Sequence, residues 1–176
     1  LTYSRTHSLR KDFEKINLRT IVEDVEQNLK EEIGQAQARV EIPESCDLNV
    51  ITFQFQQVFY NLISNSLKFS NPGKPLIITI TGRHASGSEL ENNLLKKDTR
   101  YTHIRFADNG IGFEPQYNER IFELFQRLHG KNEYKGTGVG LAIVKRIVDN
   151  HNGVVIAKGN EGVGATFDIY LPEKAT

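Results

Sequence analysis

Two glycine-rich segments, Asp108-Asn109-Gly110-Ile111-Gly112 and Gly136-Thr137-Gly138-Val139-Gly140-Leu141, bracket a polar stretch and restrict what this chain can build. The first follows a run, Thr102 to Ala107, in which Ile104 and Phe106 alternate, so it reads as the carboxyl end of a strand. The second runs into a helical pattern, Leu141, Val144, Val148 and His151, stopped near Asn152-Gly153. A strand end and a helix start that both lack side chains leave backbone N–H groups open to a ligand. Each segment also reads as an ordinary turn when taken alone, the first as an Asn-Gly turn with a solvated aspartate, the second as a flexible turn with a capping threonine. Neither is a phosphate loop of the G-x-x-x-x-G-K-[ST] kind. The third glycine of the second segment also stands one position too early for the dinucleotide fingerprint.

Upstream, Asn61, Asn65 and Lys68 lie at i, i+4 and i+7, with directions of roughly 0°, 40° and −20° at about 100° per residue, which is one polar face of one helix. The same helix, predicted over 52–69, turns Phe55, Val58, Phe59 and Leu62 the other way. Amide oxygens suit a cation that keeps waters, such as magnesium, and the ammonium suits phosphate. A solvated helix face is the alternative. Residues 113 to 135, between the glycine segments, carry Phe122, Phe125, Arg127, His129, Lys131 and Lys135. Ile121, Phe122, Leu124 and Phe125 are expected to form a short hydrophobic helix. Basic residues between glycine hinges are what a lid over phosphates needs. A carboxylate, two amides, an ammonium and two glycine loops together point to a Mg-nucleotide pocket.

The remaining pattern bounds the architecture. Residues 1–16 read as the end of a preceding helix and a linker. Asn17 is placed to cap a helix carrying Leu18, Val22, Val25 and Leu29, with Gly34 as its stop. Short strands are expected at 39–42 and 47–50, then, after the Asn71-Pro72-Gly73 turn, at 76–81 and 102–107. Residues 82–100 read as a long polar connection with a variable tip. Strands at 154–157 and 166–171 close the chain, the second alternating Phe167, Ile169 and Leu171. The order predicts a two-layer α/β sandwich whose mixed, mostly antiparallel sheet is covered on one face by helices. No internal repeat or low-complexity segment interrupts it.

Composition excludes several classes. Twenty-two basic residues balance 22 acidic ones, so the basic excess of a general nucleic-acid binder is missing. No apolar run reaches the roughly 18–20 residues that cross a bilayer, and no signal-peptide pattern opens the chain. The single cysteine, Cys46, excludes an internal disulfide and fits a reducing compartment. The absence of methionine marks the chain, on this reading, as a piece of a longer protein.

From about Asn17 to Leu171 the chain resembles the catalytic, ATP-binding domain of sensor histidine kinases, within the gyrase, chaperone, kinase and mismatch-repair ATPase superfamily. Gln57 to Ser70 resembles the N box, Asp108 to Gly112 the G1 box, Ile121 to Phe125 the F box and Gly136 to Leu141 the G2 box. Gly164-Ala165-Thr166-Phe167 resembles the last, weaker box. The run from Leu124 to Gly138 is similar to phytochrome-like bacterial sensor kinases. The resemblance implies that Asn65 ligates Mg2+ with Asn61 assisting at the metal or phosphates, that Lys68 contacts phosphate, and that Phe69 packs near the base. Asp108 would bind the adenine amino group, with Thr166 supporting that bond through water. Gly110, Gly112, Gly136, Gly138 and Gly140 would shape the pocket and hinge a mobile ATP lid, with Phe122, Phe125, Thr137, Val139 and Leu141 around the nucleotide. Arg127, His129 and Lys131 would reach the γ-phosphate.

Two departures refine the expectation. Hydrolysing members of the superfamily place a glutamate one turn before the metal asparagine, and here that position is Asn61, whose amide cannot act as a general base. This favours phosphoryl transfer to a protein over hydrolysis, with an ATPase, a serine-directed kinase or a non-catalytic nucleotide sensor as alternatives. None of His7, His84, His103, His129 or His151 has the acceptor context of a kinase hairpin, although Leu1 to Arg5 resembles the end of its second helix. The implied partners are that dimerisation hairpin and a response regulator receiver domain, with no nucleic acid. The implied state is a monomeric fragment of a homodimeric parent in the cytoplasm, with membrane anchoring of the parent left open.

Overall fold

The computed structural model describes residues 12–123 and 138–173. Asn17 caps α1 (Leu18–Asn28) as its sequence position predicts: its Oδ1 accepts the Arg19 N–H at 3.1 Å and the Ser45 hydroxyl at 2.8 Å. Leu18, Ile21, Val22 and Val25 form the buried stripe of α1. Gly34 is not the stop. The chain continues into a short helix, α2 (Lys30–Gln35), and the left-handed residue that ends it is Gln37, at φ +50°. The linker expected up to residue 16 is also shorter than the sequence indicated. Residues Glu14–Asn17 form β1, antiparallel to β3 (Asp47–Val50), because Ile16 and Leu48 stand opposite each other in that ribbon.

The main sheet holds β2 (Arg39–Glu44), β4 (Ile77–Ser86), β5 (Arg100–Asp108), β7 (Gly164–Pro172) and β6 (Val154–Asn160), in that spatial order. Only β2 and β4 run parallel; the other pairs are antiparallel. The two hairpins, β4–β5 and β6–β7, join through β5 and β7, which leaves the ends of β5 and β7 side by side. One face of this sheet presents Ile78, Ile80, Ile104, Phe106, Ala157, Phe167 and Ile169 to the helices, all buried. Each such isoleucine or phenylalanine stabilises the fold by about 1.5–3 kcal/mol.

Over that face lie α1, α3 (Thr52–Lys68) and α4 (Gly140–Asn150). No side chain caps α3, and the buried donor before it, the Ile51 N–H, is met instead by Nε2 of His151 at 3.1 Å. The His151 Nδ1–H donates to the Ile147 carbonyl at 2.8 Å, which fixes a neutral ring between Phe13 and Phe55. Burial holds the His151 pKa below its ordinary value.

The opposite face of the sheet carries its own small cluster. The connection after β4 starts five residues later than the sequence suggested and is not a loose tip. Its Leu95 is buried against Tyr101 and Tyr170, and the Lys96 N–H donates to the Tyr101 hydroxyl at 3.1 Å. Beside them His103 stacks on Tyr170 and meets Asp168 at 2.8 Å. Among the described residues no helix is long and apolar enough to cross a membrane.

Candidate functional site

The carboxyl-terminal half of α3 brings together segments far apart in sequence. Its polar face, half-buried, carries Asn61, Asn65 and Lys68. At the start of α4, Gly140 sits over Asn61: a Cβ built on the glycine would meet the Asn61 amide at 3.7 Å. Asn61 Oδ1 already accepts the Gln57 amide at 3.3 Å, while its buried Nδ2 has no partner among the described residues. Above it, α4 begins after Val139 with no side-chain cap among the described residues, so its first turn presents N–H groups suited to an anion. Gly138, at φ +69°, turns the chain into this helix.

One turn further along α3, Ser66 is 3 % exposed and its hydroxyl donates to Oδ2 of Asp108 at 2.7 Å. The other carboxylate oxygen, Oδ1, accepts the N–H of Gly110 at 2.9 Å and of Ala165 at 3.3 Å. Asp108 is thus held from three directions, by α3, by its own turn and by β7. The turn is in turn fixed to the end of α3, where the Phe69 carbonyl accepts the Ile111 N–H at 2.9 Å. A Cβ on Gly110 would come within 2.6 Å of that carbonyl. Gly112 sits at φ +66°, and a side chain there would overlap the carbonyl oxygens of Asn160 and Gly164. These glycines are needed by backbone packing within the protein itself.

Several expectations change. Thr166 stands opposite Ala107 on β5, whereas Asp108 stands opposite Ala165, so Thr166 lies on the other face of the sheet, and among the described residues the direct hydroxyl bond to the carboxylate comes from elsewhere. Ser66 supplies that hydroxyl. Part of the signal was in the sequence, since Ile104, Phe106 and Asp108 share one parity, as do Ala165, Phe167 and Ile169, and Ser66 continues the apolar stripe of Phe55, Phe59 and Leu62; the register that joins the two strands was not. Phe122 packs edge-on against Phe167, its ring centroid 6.4 Å away, and belongs to the core. The expected helix over 121–125 is, in its described part, a 3-10 turn at Arg120–Phe122. The Lys68 ammonium lies over the Phe69 ring at 4.7 Å. Leu141 packs on the core beside Val144. Phe125, Arg127, His129, Lys131, Gly136 and Thr137, and the part of the lid that follows residue 123, lie outside the described residues.

The residues present fit a nucleotide with a divalent cation. An orphaned amide donor beneath an uncapped helix start suits phosphate oxygens. Among the described residues no group of three or more His, Cys, Asp and Glu gathers, and a hard divalent cation could be held by amide and phosphate oxygens, for which the half-buried Asn65 is a candidate.

Comparison with known proteins agrees with this geometry. Residues 51–175 match the family described as histidine kinase-, DNA gyrase B- and HSP90-like ATPase. Over 172 residues, 98 % of the chain, it is 35 % identical to the Phytochrome-like protein Cph1 of Synechocystis sp., of which it covers 21 %. The chain spans about a fifth of the length of the curated relatives that it matches over nearly its whole length. The fold is similar to that of the mycobacterial sensor histidine kinase MprB, with a TM-score of 0.69 at 20 % identity over 93 % of this chain and 99 % of that one. It is also similar to histidine kinase ThkA as solved in complex with response regulator protein TrrA, with a TM-score of 0.65 at 20 % identity over 92 % and 42 % of the two chains. A glycine turn at a strand end, a helix start seated over Asn61 and a family match across both agree, and this chain belongs to the histidine kinase-, DNA gyrase B- and HSP90-like ATPases.

Proposed function

We propose that this chain is the catalytic domain of a two-component sensor histidine kinase, which binds Mg-ATP and donates the γ-phosphoryl group to a histidine on a helical hairpin outside the chain. The observation that carries the reading is the convergence on α3: Asn61 under Gly140, Ser66 on Asp108 and Phe69 on Gly110 and Ile111. Asp108 takes the adenine amino group, Lys68 and the N–H groups opening α4 take phosphate oxygens, and Asn65 holds the cation. Asn61 serves the phosphate side, since its free atom is a donor and its oxygen is engaged by Gln57. Magnesium bound at Asn65 would neutralise phosphate charge.

Transfer of this kind depends on positioning and charge neutralisation more than on covalent chemistry by the protein. Asn61 offers no base for hydrolysis, which favours a protein acceptor over water. The family domain, on this reading, begins near Phe13, whose contact with His151 ties the incoming chain to α4. The partners are the hairpin and a receiver domain, a pairing that the ThkA–TrrA complex supports by analogy, and the location is cytoplasmic.

Calorimetric titration with ATP, with and without magnesium, tests the binding step, and a longer chain that includes the preceding hairpin tests transfer. Magnesium-dependent binding without steady phosphate release, and acid-labile phosphate on the longer chain, are the expected results. Sustained phosphate release by this chain alone would favour an ATPase instead.

A further inference from the structure

An ionised carboxylate offers four lone-pair positions. At Asp108 three are occupied by the protein: Oδ1 accepts the N–H groups of Gly110 and Ala165, at 2.9 and 3.3 Å, and Oδ2 accepts the Ser66 hydroxyl at 2.7 Å. One position on Oδ2 is left for a ligand. Ser66 has one proton and two candidate acceptors, the carboxylate and the Leu62 carbonyl at 3.1 Å. The carboxylate is both closer and charged, so it takes the proton. The two backbone donors fix Oδ1 and therefore the plane of the group, while Ser66 decides which side of Oδ2 stays open.

We propose that Ser66 is a positioning residue for base selection: by occupying one lone pair of Asp108 Oδ2 it aims the remaining one at a 6-amino purine and makes the site reject a 6-oxo purine. This rests on the reading that Asp108 faces the base. A purine amino group donates one N–H into the open lone pair. A 6-oxo group would set its own lone pair against the carboxylate, with no proton between them. Without the serine hydroxyl, Oδ2 presents two acceptor directions to the ligand or to water, and the contrast between the two bases falls. Ser66 is buried on the apolar stripe of α3, and of the two acceptors within its reach Asp108 is the one that belongs to the site.

The test is titration of this chain and of Ser66→Ala with the magnesium complexes of ATP and inosine triphosphate, with thermal melts to confirm folding. The expected result is a loss of about three- to tenfold in ATP affinity, the range of one ordinary hydrogen bond. Inosine triphosphate affinity stays the same, so the ratio of the two dissociation constants contracts by the same factor. Equal weakening for both nucleotides, or an unchanged ratio, overturns the role of Ser66. If the unaltered chain does not distinguish the two nucleotides, the placement of Asp108 at the base fails, and this proposal with it. Should Ser66→Ala not fold, Ser66→Cys, of similar size and with a weak donor, is read by the same ratio.

Discussion

Replacing Asp108 by asparagine separates its two tasks, because the protein side of its network can adapt while the ligand side cannot. In Asp108→Asn the amide oxygen keeps the bonds from Gly110 and Ala165, and the amide nitrogen takes the place of Oδ2 beside Ser66. Ser66 can then accept from that nitrogen and turn its proton to the Leu62 carbonyl at 3.1 Å, so no buried group is left unpaired. The loss to stability is the charge assistance of these bonds, about 1 kcal/mol. Toward the base the change is a reversal: an N–H stands where the open lone pair was. Adenine loses a charge-assisted hydrogen bond, about 1.5–3 kcal/mol, which weakens ATP binding by about ten- to 150-fold. A 6-oxo purine gains a donor for its oxygen, and inosine triphosphate should bind about two- to tenfold tighter than to the unaltered chain. Calorimetric titration with both nucleotides in magnesium reads the two changes in one experiment. A parallel loss for ATP and inosine triphosphate, or unaltered ATP affinity in a folded variant, would refute the assignment.

Gly112→Ala should destabilise the fold by about 2–5 kcal/mol, from a left-handed φ and overlap with two backbone carbonyls, whereas Gly73→Ala, also at positive φ but in open space, should cost only about 1 kcal/mol; chemical denaturation of both variants isolates the steric share. Because burial lowers the His151 pKa, the unfolded chain binds more protons than the folded one below about pH 6.5. Stability should therefore be full above that pH and fall as pH drops toward the lowered folded value, and the part due to His151 should vanish from melting curves of His151→Gln. The Cys46 thiol is pushed up to about 11, first by burial and then by Asp47, Glu173 and Glu44, so about one molecule in a thousand is thiolate at pH 8. Its alkylation by iodoacetamide should be slow and still accelerating at pH 10, and a plateau near pH 9 would contradict that environment.

Much of the fold was legible because its signals are local. Three to four residues per turn put Phe55, Val58, Phe59 and Leu62 on the core side of α3 and left Asn61, Asn65 and Lys68 on the other. Alternation marked β5 and β7, and Asn17 announced the start of α1. The misplaced stop at Gly34 shows the limit of a local signal: a glycine can end a helix, but the hydrogen bonds of Ala36 and Ala38 to Glu32 and Ile33 carry the chain further, and Gln37 takes the left-handed turn.

The site was legible as a list of residues and not as an arrangement. Asp108 at a strand end and the glycines around it could be read from their order alone, since strand ends and side-chain-free turns are consequences of short-range backbone preferences. The partner of Asp108 could not, because Ser66 and Thr166 are both hydroxyl residues in suitable boxes and only the strand register decides between them. Pairing Asp108 with Ala165 turns Thr166 to the far face, and the packing of α3 on that sheet brings Ser66 to 2.7 Å across 42 residues of sequence. Side-chain parity is fixed within a strand, but which hydroxyl reaches a carboxylate depends on how layers pack, and that is decided by the whole core at once.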